Sequence, residues 1–283
     1  MTERAQKTWL ITGADKGLGF ETAKFALERG DNVVVTVLDP SGSHRLLEAF
    51  PDTLRAFTLN AGDHARIGQT VAAAHAAFGR IDVLVNNAGY GLVSLAEATG
   101  AEKYRPLFEV NFFGLVEMTR AVLPIMRAQR SGNIVNLSSY GGFIGTPGFS
   151  FYSATKFAVE GYSESLAKEV AHLGIHVTLI EPGGFRSDFA GPSLMQDANI
   201  PGDDYGPVAD IITGYGARRH GKQPNDPALF GQALAAVVDL EKPPMRIPFG
   251  SDAHAAITDE LGLVAEELER CKDIAFSTTN PVS

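Results

Sequence analysis

Short apolar runs alternate along the chain with longer segments of helical periodicity. The runs lie at 9–11, 33–37, 83–85, 134–137 and 177–180, and a further short strand is expected near 245–248. Strands that are apolar on both faces belong in a parallel sheet that is covered by helices on each side. The alternation therefore predicts an α/β fold with a doubly wound parallel sheet of about seven strands.

The helices are predicted from apolar positions that recur every three or four residues, and from Gly30 and Gly79, which end the first two. Their expected bounds are 17–29, 64–78, about 102–129, about 152–172, 227–240 and 252–271. Between 185 and 227, glycine, proline and aspartate interrupt the alternation. Because long irregular segments in compact domains are usually lids, we expect a substrate lid there.

The composition narrows the class of protein. The chain has 283 residues, of which 45% are hydrophobic, enough for one domain that spans 1–283. A formal net charge of −9 would repel a phosphate backbone, and no apolar stretch approaches the length of a membrane helix. We therefore expect no nucleic acid partner, no membrane partner and a cytoplasmic location. The single cysteine, Cys271, excludes an internal disulfide, and no metal site is expected because His172, His176 and His220 lack metal-ligand spacing.

A glycine-rich loop follows the first predicted strand and opens the first predicted helix. Its glycines are Gly13, Gly17 and Gly19. Glycines have no Cβ and therefore allow a tight turn. In such a turn, backbone amide donors and the positive end of a helix can face a diphosphate. The loop therefore indicates a dinucleotide site. The spacing differs from the G-x-G-x-x-G pattern, so a purely structural turn is an alternative at this point.

Further motifs follow the glycine loop in chain order. They are Asn86-Asn87-Ala88-Gly89, Asn111, Ser139 and Tyr152-Ser153-Ala154-Thr155-Lys156. With these motifs the chain resembles the short-chain dehydrogenase/reductase family from about Lys7 to Val238. The resemblance implies a Rossmann-like fold and an NAD(P)-dependent oxidoreductase that interconverts the carbonyl group of a ketone or aldehyde and an alcohol.

The resemblance also implies the catalytic residues. Tyr152 is the expected general acid in reduction and base in oxidation, Ser139 hydrogen-bonds the substrate oxygen, and Lys156 supports both cofactor and tyrosine. Asn111 is expected to kink the long helix and hold a water that relays protons past the lysine. Because a phenol with a pKa near 10 is a poor base at neutral pH, we expect the ammonium and an oxidised nicotinamide to lower the pKa of Tyr152. Ser138 is an alternative to Ser139 as the catalytic hydroxyl. The thirteen-residue separation from Tyr152 favours Ser139, and because alternate strand residues point to opposite faces, only one of the two serines can face the nicotinamide.

The dinucleotide is expected to contact residues that follow the ends of several strands. By resemblance these are Gly13, Asp15, Lys16, Gly17, Leu18, Gly19, Leu38, Asn60, Asn87, Ala88, Gly89, Tyr152, Lys156, Pro182, Gly183, Phe185 and Ser187. Among them, Ser187 takes the place of the residue that holds the nicotinamide carboxamide in the family.

The choice between the two nicotinamide dinucleotides depends on the end of the second strand. An acidic residue there prefers a free ribose 2′-hydroxyl, and a basic residue accommodates a 2′-phosphate. The acidic position is Val37 and the basic position is Leu38, with Asp39 one step beyond. Lys16 could pair with a 2′-phosphate, and Thr36 is small enough to leave room, so NADP(H) is favoured over NAD(H).

At the adenine position the family commonly has an aspartate, where this chain has Asn60. Asp63 either compensates for the lost charge or caps the helix that begins near His64, and capping is favoured.

The residues expected at the substrate are mostly apolar. They are Tyr90, Leu92, Gly141, Phe143, Phe149, Phe189 and Met195. Hydride transfer gains from the exclusion of water, so a bulky hydrophobic substrate under an aromatic lid is favoured, although these side chains could only pack the lid onto the core. The basic group Arg186, Arg218, Arg219 and His220 either binds an anionic substrate or, as we favour, is solvated on the lid.

Two classes of alternative function stay open. One is a redox sensor that binds NAD(P) without catalysis, and the other is an epimerase or dehydratase of the same family. Intact Ser139, Tyr152 and Lys156 argue against the sensor, and the chain has little room for the larger C-terminal domain of the epimerases. The long helices at about 102–129 and 152–172 carry surplus apolar residues, which favours a homodimer or homotetramer.

Overall fold

The computed structural model describes residues 5–280, and regular elements follow one another through most of this range. The strands are β1 (Thr8–Thr12), β2 (Asn32–Val37), β3 (Leu54–Thr58), β4 (Val83–Asn86), β5 (Gly91–Val93), β6 (Gly132–Leu137), β7 (Ile175–Pro182), β8 (Leu194–Gln196) and β9 (Arg246–Phe249). The helices are α1 (Gly17–Glu28), α2 (His44–Ala49), α3 (His64–Phe78), α4 (Ala101–Phe108), α5 (Gly114–Gln129), α6 (Ser150–Val170), α7 (Gly206–Arg219), α8 (Phe230–Val238), α9 (Ser251–Arg270) and α10 (Lys272–Phe276).

Seven strands form one parallel sheet in the order β3-β2-β1-β4-β6-β7-β9. The predicted doubly wound α/β fold is confirmed. The strand order reverses between β1 and β4, and in open α/β sheets ligands bind at the carboxyl ends of the strands beside such a reversal. This edge of the sheet is therefore where the functional site is expected.

The core consists of two apolar layers, one on each face of the sheet. Trp9 and Ile11 of β1 pack with residues of α1 and α8, whereas Leu10 between them packs with residues of α3, α5 and α6. Alternate strand residues point to opposite faces, so an uninterrupted apolar strand serves both layers. The indole Nε1 of Trp9 donates to Asp31 Oδ2 at 2.9 Å, which satisfies this polar atom inside the core.

Several elements differ from the sequence-based expectations. Strand β3 is missing from the apolar runs because it lies at the sheet edge and only Leu54 in it is fully buried. The helix expected over 102–129 consists of α4 and α5, joined by a π-helical turn at Glu109–Phe113. The segment 185–227 contains the 14-residue helix α7, which its glycines and Pro207 conceal in the sequence.

The segment 185–227, the expected lid, is held by backbone pairing at two places. Strand β8, within the lid, pairs in parallel with β5, with Gly91 opposite Leu194. A Cβ on Gly91 would lie 2.9 Å from Phe189 Cζ, so a side chain at this position would push against the lid. Farther along, Asn225 N donates to Gly184 O at 3.0 Å, which ties the end of the lid to its beginning.

Candidate active site

Ser139, Tyr152 and Lys156 lie together at the carboxyl edge of the sheet. Ser139 stands two residues beyond β6, and Tyr152 and Lys156 lie one turn apart on the same side of α6. The Lys156 ammonium donates to Leu137 O at 2.7 Å and lies 5.8 Å from the centroid of the Tyr152 ring. All three residues are buried, with 8%, 8% and 5% exposure respectively. A phenol, a hydroxyl and an ammonium thus share one sheltered place.

Burial dominates the electrostatics of this group. It raises the pKa of Tyr152 above its ordinary value, and a hydrogen bond with Ser139 opposes the shift. Burial lowers the pKa of Lys156 to about 8, and the Glu160 charge opposes that shift. Without a nicotinamide, desolvation dominates the pKa of the phenol, and the expectation that an ammonium together with an oxidised nicotinamide lowers it stays a prediction. Tyr152 is protonated at neutral pH.

The two neighbouring serines have different surroundings. Ser139 Oγ accepts a hydrogen bond from Gly141 N at 3.0 Å and faces Tyr152. Ser138 also contributes to the cavity wall, but its hydroxyl lies beside the carboxylate of Glu160. The structure therefore places Ser139 rather than Ser138 at the phenol.

Asn111 lies in the π-helical turn between α4 and α5 and is 1% exposed. Its Oδ1 accepts from Tyr90 N at 3.0 Å, and its Nδ2 donates to Tyr90 O at 2.9 Å and to Thr155 Oγ1 at 3.3 Å. The side chain thus joins three elements around the site. The predicted kink is found here, as a π-helical turn.

The glycine loop needs its glycines for conformation and for space. Gly13 has φ 66° and Gly17 has φ 61°, in the left-handed region that favours glycine. A Cβ on Gly13 would lie 2.9 Å from Ala88 Cα, so the loop packs directly against the segment after β4. Asn87 Nδ2 holds this contact by donating to both Thr12 O and Gly13 O at 2.8 Å.

The N-terminus of α1, which follows the loop, lines a cavity of about 870 Å³. The N-cap residue, Lys16, makes no side-chain capping hydrogen bond at this helix end. Uncapped amide donors and the positive helix end are the features that bind a diphosphate. The site therefore fits a dinucleotide.

Most residues expected at the cofactor and the substrate line this one cavity. They are Gly13, Asp15, Lys16, Gly17, Leu18, Leu38, Asn60, Asn87, Ala88, Gly89, Tyr90, Ser139, Gly141, Phe149, Tyr152, Lys156, Pro182, Gly183, Phe185, Ser187, Phe189 and Met195. Ser187 Oγ accepts a hydrogen bond from Phe189 N at 3.4 Å, so it also shapes the beginning of the lid.

Four expected residues do not line the cavity. Leu92, the middle residue of β5, is 1% exposed and packs into the apolar cluster beneath the lid. Phe143 directly follows the helical turn at Tyr140–Gly142 and lies outside the cavity lining. Gly19 is packed against the loop itself, since its Cβ would lie 2.6 Å from Gly13 O. Asn111 lies behind the wall, bound to Tyr90 as described above.

The residues expected to discriminate between dinucleotides lie at the other end of the cavity. Leu38 is 63% exposed, and the Asp39 carboxylate accepts from Ser41 N at 2.9 Å and Ser41 Oγ at 2.6 Å. The Lys16 ammonium lies 3.6 Å from Asp188 Oδ2, so it pairs with the lid. Asp63 occupies the N-cap position of α3, as favoured, but its side chain makes no capping hydrogen bond.

Four polar residues of the cavity are absent from the predicted site residues, although one of them, Arg219, is exposed as the favoured solvated assignment expects. Tyr140, Tyr215, Arg219 and Gln223 all line it. The four-residue spacing of Tyr215 and Arg219 is a signal that would have found them, had α7 been recognised as a helix. Arg218, by contrast, donates to carbonyl groups of its own helix.

A family model described as "short chain dehydrogenase" matches residues 7–197. The chain belongs to this family. The dehydrogenase is 38% identical over 248 residues to "Oxidoreductase BOA17" of Botryotinia fuckeliana, which covers 87% of the chain and 90% of that relative. It is 36% identical to a 3-ketodihydrosphingosine reductase of Bacteroides thetaiotaomicron, over 85% of the chain and 87% of the relative.

Among solved structures, the dehydrogenase matches a short-chain dehydrogenase from Streptomyces avermitilis with a TM-score of 0.87 and 38% identity, over 98% of this chain and 100% of that one. The family and these relatives make the dehydrogenase an oxidoreductase enzyme. Within residues 5–280, no helix is long and apolar enough to cross a membrane, and no group of three or more metal-ligating side chains is assembled.

Proposed function

We propose that the enzyme is an NAD(P)-dependent reductase or dehydrogenase that interconverts a carbonyl and an alcohol at Tyr152. The observation that carries the proposal is the buried group of Ser139, Tyr152 and Lys156 in the wall of the cavity that the glycine loop opens into. A bound nicotinamide would supply or accept the hydride at the substrate carbon. Residues of the chain bind the substrate oxygen and transfer the proton.

In reduction, the protonated Tyr152 hydroxyl donates a proton to the carbonyl oxygen, and Ser139 holds that oxygen by a second hydrogen bond. The role of Tyr152 as proton donor fits its raised pKa, since a phenol that keeps its proton can donate it to the carbonyl oxygen. The Lys156 ammonium, fixed by Leu137 O, supplies positive charge beside the phenol. Asn111 supports the helix turn behind the site, where we propose that a proton-relaying water binds.

For the dinucleotide, the chain offers the uncapped helix end at Gly17 for the diphosphate and Ser187 for the carboxamide. We retain NADP(H) as the favoured cofactor, with Lys16 as the partner of a 2′-phosphate. Asp39 is already engaged by Ser41, which supports the proposal, because a carboxylate so bound is poorly placed for a ribose 2′-hydroxyl. Measuring KM for NADPH and NADH in parallel decides the preference.

The substrate side favours a largely hydrophobic compound. Phe149 and Phe189 pack against the Tyr152 ring at centroid distances of 6.2 Å and 5.3 Å, so apolar surface surrounds the reacting oxygen. The similarity to a relative named as a 3-ketodihydrosphingosine reductase supports reduction of a ketone.

Replacement of Tyr152 by phenylalanine tests the proposal, because it removes one oxygen and leaves the ring packing in place. We expect turnover to fall below detection while the Kd for NADPH, measured by its fluorescence, changes less than about threefold. Phe151→Tyr is a neighbouring control, since Phe151 stacks on Tyr104 outside the cavity lining. Turnover retained by Tyr152→Phe would refute the assignment.

The same experiment separates the alternatives. A sensor would show NADPH binding without turnover in the unsubstituted enzyme, and an epimerase or dehydratase would consume substrate without net change in NADPH absorbance. We also propose a homodimer or homotetramer in the cytoplasm. Phe113 and Phe157, which are 44% and 48% exposed on the long helices, support the association. Light scattering that finds only a 30.2 kDa species would contradict it.

A further inference from the structure

One end of the cavity is built from polar side chains that the proposed proton and hydride transfer does not use. We call Tyr140, Tyr215, Arg219 and Gln223 the polar end, since all four line the cavity. Tyr140 directly follows Ser139, so the polar end adjoins the reacting group. Tyr215 and Arg219 lie on one face of α7 together with Ile212, which is completely buried. Ile212 is buried, Tyr215 is half-buried and Arg219 is exposed, so this helix face runs from the interior to the surface.

Two of these side chains can bind the acceptor atoms of a ligand. Gln223 is only 7% exposed, and its buried Oε1 has no hydrogen-bond partner among residues 5–280. Arg219 lines the cavity, is exposed, and has no carboxylate within ion-pair distance in the same range, whereas Arg186 pairs with Asp226 at 3.4 Å. A buried amide without a partner is costly, and rotation of the amide presents its NH₂ group to an acceptor. Both side chains therefore suit an anionic ligand.

The other groups at the polar end also favour an acceptor. Burial raises the pKa of Tyr140 and of Tyr215, so both phenols keep their protons and donate hydrogen bonds. Asp252 also lines the cavity, but its carboxylate is engaged: Oδ2 accepts from Gly184 N at 2.7 Å and Oδ1 from Asn225 Nδ2 at 2.8 Å. The polar end thus presents donors and one permanent positive charge.

An apolar ring lies beside both the polar end and the reacting phenol. Phe149 has centroid distances of 6.2 Å to Tyr152 and 4.8 Å to Tyr215. A ligand that contacts both tyrosines can therefore place an apolar segment against Phe149. We propose that the substrate is an oxo acid, or the corresponding hydroxy acid, whose carboxylate binds the polar end and whose apolar segment separates it from the reacting carbon. This inference rests on the proposed function at Tyr152.

The test compares methyl ketones that end in a carboxylate, on linear chains of increasing length, with their methyl esters. The unsubstituted enzyme is expected to prefer the acid over the ester in kcat/KM by about 10- to 100-fold at the best length, as a charge-assisted contact implies. In Arg219→Met the acid-to-ester ratio should fall to near one. Arg218→Met is the matched control, because Arg218 binds only carbonyl groups of its own helix among the described contacts.

A binding measurement keeps this inference separate from the proposed reaction. Octanoate and methyl octanoate are titrated calorimetrically into the enzyme with NADPH present. Tighter binding of octanoate, lost in Arg219→Met and kept in Arg218→Met, supports the polar end as a carboxylate site even if no ketone is reduced, in which case only the proposed reaction fails. Equal binding of acid and ester, or equal loss in both variants, would overturn the inference while ketone reduction still supported the proposed function.

Discussion

Glu181 on β7 makes the stability of the enzyme depend on pH in a direction unusual for a carboxylate. Its side chain is 2% exposed, and among residues 5–280 its Oε1 has no hydrogen bond and its only nearby cation is Arg246, whose Nε lies 3.9 Å away. Arg246 is engaged more closely by Glu160 at 2.8 Å and by Glu164 at 2.9 Å. Burial, together with the charge of Glu160, raises the pKa of Glu181 from 4.5 to about 7.

A carboxyl whose pKa is higher in the folded protein stabilises the fold while it is protonated. The contribution is complete below the unfolded pKa of 4.5 and is lost as the pH rises through about 7. At 1.36 kcal/mol per pKa unit, the shift corresponds to a loss on the order of 3 kcal/mol between pH 5 and 8. Because Glu160 and Glu181 share one guanidinium, the loss belongs to the pair.

Glu181→Gln keeps the shape and removes the ionisation. We expect the free energy of unfolding of this variant, relative to the unsubstituted enzyme, to rise by about 3 kcal/mol from pH 5 to 8. Urea unfolding followed by fluorescence of Trp9, the single and buried tryptophan, measures it. Glu164→Gln is the control: the pKa of Glu164 is lowered to about 2, so both its folded and unfolded forms are ionised across this range. Parallel pH curves for Glu181→Gln and the unsubstituted enzyme would refute the reasoning.

The remaining predictions concern the site. Asn111→Leu leaves the buried N–H and C=O of Tyr90 without partners and should lower the free energy of unfolding by about 2–4 kcal/mol, measured by urea unfolding. NADPH binding should weaken about tenfold as the pH rises through the Lys156 pKa of about 8, and a fluorescence titration of Lys156→Met should be flat over the same range. Gly13→Ala, whose Cβ would press on Ala88, should raise the Kd for NADPH at least tenfold, and unchanged binding would contradict the role of the turn.

The parts of the fold that the sequence predicts are those set by local patterns. β1 and β2 are apolar on both faces, so their place inside a parallel sheet is readable from composition alone. Tyr152 and Lys156 share a face because they are one helical turn apart, and the prediction needs no knowledge of the rest of the chain. The glycine loop is likewise local, since φ near +60° at Gly13 and Gly17 is a property of the residue type.

The parts that were missed depend on contacts between distant segments. β5 has three residues and exists because it pairs with β8, about a hundred positions later, so nothing local shows that Leu92 is buried by the lid. Arg219 is exposed, as expected, but its place at the cavity depends on how α7 packs, which the weak apolar pattern of this helix does not reveal. The sequence does not show that Glu160 and Glu181 share Arg246, because the three residues lie on three separate elements that only the fold brings together.

The expected lid contacts the proposed proton donor directly, because Phe189 packs on the Tyr152 ring at a centroid distance of 5.3 Å. Burial of that ring raises the pKa of the phenol, so the lid, in covering the site, also helps to keep its proton in place. Carbonyl reduction needs such a protonated donor, and the chain supplies it without further help. Alcohol oxidation would need the phenolate, which burial disfavours, and burial also lowers the pKa of the neighbouring Lys156 to about 8. Oxidation therefore depends on additional positive charge beside Tyr152, such as an oxidised nicotinamide, far more than reduction does.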